Sequence, residues 1–509
     1  MRMSIEDKTV RAEATGGRAV RRPPPSLAAL LPLVVLASCA PRGVEVPPPV
    51  TMPRAFSAPG QAAMPAKWWT AFGDEQLNSL IEQALRGNFS LRMAWDRLDQ
   101  ARALAARSGA GIWPSLDGSA GASRAVQSVQ RAGRLYGTEF GLGLVASYEV
   151  DLWGRVRSTH DAARLDVYAS GEDLSAAAIT LTADVARTWY LLTEQRGQWK
   201  LLGEQIETDE KYLEIITLKF RRGQVSAADV LQQRQLVESA RGEQITVASN
   251  IRVLQHQLDA LLGRPPSDEA AGAAEKLPTL PPLPRTGLPA EWVRRRPDVR
   301  VAELRVQAAD RRVAAAIADQ FPRLGLSITA DTSAERIRDL FDNWMASLAA
   351  NLVAPLFDAG WRRAEVERSR AAVSERLNAY GQVVLVSLQE VEDALSREAR
   401  QAEYVASLRK QLGLSKQATD QTLENYTKGA MDFTRYLTTL LAHQRLQRTH
   451  LEAQRQRVDY RIDLYRALAG SWALSRPARA KVSGPRGPVK NPAVRERNAP
   501  APKAGPEKP

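Results

Sequence analysis

One pattern is written twice in this chain, and any fold proposed for it must be built from two similar halves. Asn88-Phe-Ser-Leu-Arg92 leads through Ala101-Arg-Ala103 to Trp113-Pro-Ser-Leu116. In the second half, Arg296-Pro-Asp-Val-Arg300 leads through Ala308-Ala-Asp310 to Phe321-Pro-Arg-Leu324. Three more pairs follow in order. Asp151-Leu-Trp-Gly-Arg155 matches Asp358-Ala-Gly-Trp-Arg362, Phe220-Arg-Arg-Gly223 matches Tyr426-Thr-Lys-Gly429, and Leu258-Asp-Ala-Leu-Leu-Gly263 matches Leu464-Tyr-Arg-Ala-Leu468. One such pair is chance; several at a nearly constant offset imply duplication. The halves are 67–263 and 291–475, and the Pro-, Ala- and Gly-rich stretch 264–290 between them reads as an exposed crossover linker.

Each half has the plan helix, strand, turn, strand, very long helix, break, helix. Period-two alternation predicts strands over about 115–128 and 139–151, and again over about 324–333 and 344–356. Leu116, Gly118, Ala120 and Ala122 face one way, with Asp117, Ser119, Gly121 and Ser123 opposite; Phe140, Leu142 and Leu144 oppose Gly141 and Gly143. An apolar face backed by a small and polar one suits a strand between lipid and a watery lumen, and runs of about ten residues suffice for a tilted strand to cross a bilayer. Arg124 falls on the lipid-assigned face, where the headgroup level would accommodate it.

The helices, expected over about 155–262 and 361–470, give the stronger signal. Val156 to Phe220 contains no proline, and Val185, Trp189, Leu192, Trp199, Leu202 and Ile206 recur at steps of three, four or seven. Leu388, Val391, Leu395, Val405, Leu408 and Leu412 repeat the rhythm. Such spacing makes a coiled-coil-like seam, and a helix of roughly 65 residues reaches on the order of 100 Å. The fold class is mainly α with a membrane β region.

The chain carries a net charge of +13 over 509 residues, but part of it sits among prolines in the tail 476–509, which reads as a disordered basic segment. No helix-turn-helix, zinc finger or aromatic-interleaved basic platform accompanies it, so nucleic acid is not an expected partner. The single cysteine, Cys39, excludes an internal disulfide. Arg18, Arg21 and Arg22, the apolar run Leu27 to Ala37, and Leu36-Ala37-Ser38-Cys39 read as a lipoprotein signal peptide over 1–38, with lipidation of Cys39 (a palmitate-type anchor) and a linker over 39–66.

No catalytic, metal or cofactor site can be assembled. The four histidines, His160, His256, His443 and His450, lie in arginine- and glutamine-rich surroundings; Glu390, Glu392 and Asp393 read as solvent-facing or interhelix charges. No glycine-rich loop follows a strand as in a nucleotide site. The chain is not expected to be an enzyme, and any energy source belongs to a partner. Four membrane strands cannot close a barrel, and an open edge in lipid is prohibitively costly, so oligomers are required. Two copies give a filled eight-stranded barrel, whereas three give twelve strands and room for a pore.

The sequence resembles the TolC-like outer-membrane factors, in particular the lipoproteins of the NodT and OprM type. The resemblance covers nearly all of residues 67–475. It rests on Trp68-Trp69 with Phe72, Asp74 and Leu77, Trp113-Pro114, Asp151-Leu-Trp-Gly-Arg155, Leu261-Leu-Gly-Arg-Pro265, Gly287-Leu-Pro289 and Arg295-Arg-Pro-Asp298. It implies a homotrimer with a twelve-stranded barrel in the outer membrane and a periplasmic helical tunnel. Small molecules would be received from an inner-membrane pump, of the resistance-nodulation-division type, through a periplasmic adaptor protein.

Gly223 and Gly429 are placed to stop one helix at each hairpin tip, with Ser226 and Asp432 to cap the next. The resemblance adds adaptor docking at Gly223, Ser226, Val230, Leu231, Gly429 and Phe433, and a periplasmic gate at Asp432, Arg435 and Asp229. Three Asp432 carboxylates about 8 Å apart would repel by about 2 kcal/mol per pair at an effective dielectric near 20. Arg435 would pair with a carboxylate to hold the tip closed. The alternatives are the outer-membrane component of type I protein secretion, and a non-channel periplasmic coiled-coil lipoprotein or adaptor. The lipobox and Arg295-Arg-Pro-Asp298 favour efflux.

Overall fold

The computed structural model describes residues 47–129, 133–267 and 276–476. Cys39, the segment 1–38 that reads as a signal peptide, and the tail after residue 476 lie outside the described residues.

The duplication is metric. Helices α2 (Phe89–Ala110) and α6 (Pro297–Ala318) have 22 residues each, α3 (Arg155–Arg221) and α7 (Trp361–Thr427) have 67 each, and α4 (Ala227–Leu262) and α8 (Phe433–Leu468) have 36 each. A helix of 67 residues is about 100 Å long. Two short helices precede α2 and α6: α1 (Glu75–Gly87), capped by Asp74 at 2.9 Å from the Leu77 N–H, and α5 (Pro289–Val293).

The strands β1 (Ser115–Val129), β2 (Gly133–Val150), β3 (Arg323–Ala334) and β4 (Trp344–Val353) form one antiparallel sheet in chain order. The middle pair joins the two halves: Leu144 lies opposite Ala330 and Ala146 opposite Ile328. The registers put the alternations of all four strands in phase. Leu116, Ala146, Ile328 and Leu348 are successive neighbours on one face, and Ser119, Gly143, Asp331 and Met345 on the other. The polar face is knit by a 2.7 Å contact between the hydroxyls of Thr329 and Ser347. At Gly143 the polar face is closely packed, since a Cβ would stand 2.9 Å from both Asp331 Oδ1 and Ser119 Oγ and would displace those side chains. The apolar face is exposed: Leu116, Leu144, Ile328, Leu348 and Leu352 are all half or more accessible.

The strands differ from expectation at two ends. β2 starts at Gly133, since pairing with β1 continues to the Val129 and Gly133 rung. β4 stops at Val353, where Pro355 has no N–H for a ladder. Aromatic side chains bracket the sheet. Trp113, Trp153, Phe321 and Trp361 lie at the helical end, and Tyr136, Phe341 and Trp344 at the far end. Trp153 stacks on Phe321 at 4.8 Å and donates its indole N–H to the Pro322 carbonyl at 2.8 Å, tying the two strand-helix junctions together. Arg124 pairs with Thr138, two rungs from Tyr136, near the far girdle.

Cores lie between the helices below the sheet. Trp68, Trp69 and Phe72 pack on Tyr190, Tyr465 and Trp472, and Trp189 donates to Asp74 at 2.8 Å. Two expectations need correction here. The crossover stretch read as exposed is strapped down where it is described: Arg461 donates to the carbonyls of Pro281 (2.6 Å) and Pro282 (3.3 Å), and Thr286 is buried. Of the segment before residue 67, the described residues 47–66 are likewise part of the body. Phe56 is buried edge-on against Trp292, and Gln61 and Ala62 donate to the Leu283 carbonyl. Apolar residues scattered in a proline-rich stretch have no period, so their burial left no pattern in the sequence.

Candidate functional site: the hairpin tips and the α3–α8 seam

At both tips the local chemistry dictates the turn. Gly223 and Gly429 adopt φ of +71° and +75°, left-handed values that cost a residue with a Cβ about 1 kcal/mol or more. The Gly223 N–H donates to the Phe220 carbonyl at 2.8 Å and Gln224 to Lys219 at 3.0 Å; Gly429 and Ala430 repeat this with Tyr426 and Asn425. Ser226 and Asp229 then form a reciprocal capping box on α4, with Asp229 Oδ2 accepting the Ser226 N–H at 2.9 Å. On α8, Asp432 Oδ1 accepts the Arg435 N–H at 2.8 Å.

Behind the turns an aromatic core joins the two hairpins. Tyr426 and Tyr436 stack at 6.2 Å, Phe433 lies 5.6 Å from Tyr426, and Tyr212 of α3 meets Tyr436 edge-on at 5.2 Å. Lys219 sits 4.0 Å over the Tyr426 ring. Burial raises the Tyr426 phenol above its ordinary pKa, with the Asp229 carboxylate adding to the effect.

This core corrects the expected docking surface. Val230 and Phe433 are 8% and 4% exposed and face the other hairpin, because each begins an amphipathic helix whose apolar side must be covered. Leu231 is 62% exposed, and Gly223, Ser226 and Gly429 also face solvent. Of the expected gate residues, Asp229 is half-buried and committed to its cap, while Asp432 and Arg435 are exposed. Among the described residues no carboxylate of the same protomer pairs with the Arg435 guanidinium; its N–H caps on Asp432 instead.

Further along the tunnel helices lies a polar seam that sequence reasoning missed. Glu194, Gln198, Gln205 and Asp209 are buried on α3 at steps of four, seven and four, sharing the stripe of Leu202 and Ile206. Their partners are on α8. Gln444 Nε2 donates to Asp209 at 3.1 and 3.3 Å, Gln205 donates to the Gln444 carbonyl at 3.3 Å, and Arg448 donates to Gln205 Oε1 at 3.0 Å. Gln233 of α4 donates to the Asp209 carbonyl at 2.8 Å. Burial pushes the Asp209 carboxyl up to about 6, against the opposing pull of Gln444 and Arg448. The signal was legible as polar residues intruding on an apolar heptad stripe.

The Arg295-Arg-Pro-Asp298 motif is a clamp. The Arg296 guanidinium binds Asp298 through Nε at 2.8 Å, the Ala467 carbonyl at 3.3 Å, and Glu390, which also lies 3.6 Å from Arg466. Glu392 accepts the Ser57 N–H at 3.0 Å, and Asp393 pairs with Arg397 at 3.4 Å, so the acidic cluster of α7 is spent on packing contacts. His443 Nδ1 lies 2.8 Å from Ser415 Oγ, and burial holds the imidazole pKa down.

Comparison with known proteins gives a consistent result. A family model described as outer membrane efflux protein matches residues 80–264 and 288–470. The pyoverdine export outer membrane protein OpmQ of Pseudomonas aeruginosa is 32% identical over 434 residues, 82% of this chain and 89% of its own. Outer membrane protein OprJ of the same organism is 29% identical over 471 residues, 89% and 97% of the two chains. Among solved structures, the outer-membrane channel OprN superposes with a TM-score of 0.78 at 27% identity, over 84% of this chain and 99% of that one.

Proposed function

Because the chain belongs to the outer membrane efflux protein family, whose members are efflux channels of the outer membrane, we propose that it works as the passive, trimeric duct of a tripartite efflux system. It would export small molecules handed over by an inner-membrane pump, of the resistance-nodulation-division type, through a periplasmic adaptor. The observation that carries this reading is the four-stranded sheet with apolar and polar faces in phase and with both β1 and β4 left as edges. In lipid an unpaired edge is untenable, so β4 of one copy must pair with β1 of another. Three copies give twelve strands with the polar face lining a lumen. An outer apolar band of about 25 Å between aromatic girdles fits strands of this length and tilt.

In this reading the signal peptide 1–38 is removed, Cys39 is lipidated, and the chain after Cys39 leads from the anchor into the helical body. The tunnel helices run into the periplasm, and Asp432 and Arg435 from three copies ring its end. Arg435, with no carboxylate partner among the described residues, would pair across the ring. Leu231 with the exposed turns at Gly223, Ser226 and Gly429 would meet the adaptor.

Conductance of the purified protein in planar bilayers tests this. We expect trimers that form cation-selective channels, with conductance raised in Asp432→Ala and Arg435→Ala. A monomer without channel activity would overturn the duct, and unchanged conductance and selectivity in both variants would remove the gate from these residues. A deletion strain that loses tolerance to small toxic compounds only when the neighbouring pump is present supports efflux over protein secretion.

A further inference from the structure

A second feature of the body is a cavity of about 440 Å³ under the crossover strap, walled by α3, α7 and α8. Val405, Leu451 and Leu277 supply apolar parts of its lining. Gly197 makes the close approach possible, since a Cβ there would stand 2.9 Å from Leu451 Cδ2. Its charged lining is of one sign. Lys276 comes from the strap, Arg409 from α7 and Arg457 from α8, and among the described residues that line it none is acidic. None of these three cations forms an ion pair among the described residues. The Nε of Arg457 is enclosed without a hydrogen-bond acceptor. Glu398, a carboxylate under the same strap, is fully taken by Arg461 through Nε at 2.8 Å and a second guanidinium nitrogen.

Lys276 and Arg409 are exposed at the mouth of the cavity, whereas the Arg457 Nε is buried, and a buried donor without an acceptor is costly unless an anion joins it. Apolar lining beside three cations suits a molecule whose body is apolar and whose head is a carboxylate or phosphate. The volume falls in the usual range for small-molecule pockets. We propose that this cavity binds an organic anion, whose head group is held by Lys276, Arg409 and Arg457 and whose apolar part lies on Val405 and Leu451. The bound anion would stitch the crossover strap to both halves of the duplicated body.

Titration calorimetry on the full trimer in non-ionic detergent tests the site with hexyl phosphate as probe. One equivalent per chain is expected, with affinity at least tenfold lower in an R409Q/R457Q variant and at least threefold lower in Lys276→Gln. The latter changes an exposed strap residue and keeps the test valid if the double variant fails to assemble. Hexanol, with the same body and no charge, should not bind. Hexanoate run beside hexyl phosphate assigns the head group: tighter hexanoate points to a carboxylate ligand, tighter hexyl phosphate to a phosphate. No binding of either anion, or unchanged binding in the arginine and lysine variants, overturns the proposal. In the sequence, Asp268, Glu269 and Glu275 precede Lys276. A D268N/E269Q/E275Q variant of unchanged affinity supports an external ligand. A tenfold gain would show that the chain's own carboxylates fill the cavity, which also overturns it.

Discussion

Replacing Asp209 by Asn should stabilise the protein at neutral pH and not at acid pH. The carboxyl is fully enclosed between α3, α4 and α8, and burial lifts its pKa from the ordinary 3.8 to about 6. A carboxyl that binds its proton more tightly when folded penalises the folded state wherever the unfolded chain is ionised. The penalty is absent below pH 3.8, grows as pH rises through the window, and is complete above about 6. The rise in pKa corresponds to about 3 kcal/mol per chain. Asn keeps an oxygen to accept from Gln444 Nε2 and removes the charge, so the variant should gain most of this at pH 7.5. With an unfolding entropy of about 2.1 cal/mol/K per residue over the helical and barrel body, the thermal midpoint should rise by about 3 °C. Circular dichroism of the detergent-solubilised protein at pH 7.5, 6 and 4.5 follows it. A gain that persists at pH 4.5, or a variant less stable than wild type at pH 7.5, would refute the account of the seam. The same substitution tightens α3 against α8, so channel opening in bilayers should become rarer at pH 7.5.

Three other perturbations probe the frame. Glu398→Gln should cost about 3 to 5 kcal/mol by leaving the buried Arg461 guanidinium without its counter-ion, and a combined E398L/R461M change should cost less; thermal unfolding of the two ranks them. Ala359, the one residue other than glycine among those described with positive φ (+52°), should gain about 1 kcal/mol on change to Gly, read as a higher unfolding midpoint. Gly223→Ala meets no atom within 4 Å, so it should cost only the backbone term of about 1 kcal/mol while leaving assembly intact by gel filtration.

The periodic parts of the structure could be read before it was seen because a long helix or a strand repeats its instructions every few residues. The alternation in Leu116 to Ala122 and Phe140 to Val150 gives each strand two faces, and the register puts those faces in phase across the sheet. Gly223, Ser226, Gly429 and Asp432 are single residues with one dominant local use, and they have it. What stayed hidden is non-local. Arg296 meets Glu390, Arg461 meets Pro281, and Asp209 meets Gln444, partners 94, 180 and 235 residues apart. Nothing in the local sequence of either member names the other. Val230 and Phe433 were misplaced for the same reason: a tip residue looks available until the facing hairpin is in position.

The apolar side chains that one protomer leaves uncovered argue for the assembly from the helices as well as from the sheet. On α7, Leu385, Val386 and Leu414 are between 41% and 67% exposed, and on α4, Ile245 and Val253 are 71% and 60% exposed. A monomer tolerates scattered exposed leucines, but these belong to helices about 54 Å and 100 Å long whose other sides are already paired within the chain. Because α4 and α8 pack on α3 and α7 respectively, with α3 also touching α8, the outer flanks of α4 and α7 are the two ends of a curved row. A row whose ends carry apolar stripes closes when one copy's α7 flank meets the next copy's α4 flank. The sheet closes by the same operation, since β4 belongs with α7 and β1 lies at the opposite edge. Substituting Ile245 or Leu414 with Glu should therefore block trimer formation while leaving the strand hairpins and tips of each protomer unchanged. A trimer that tolerates both charges on native gels would place the subunit boundary elsewhere.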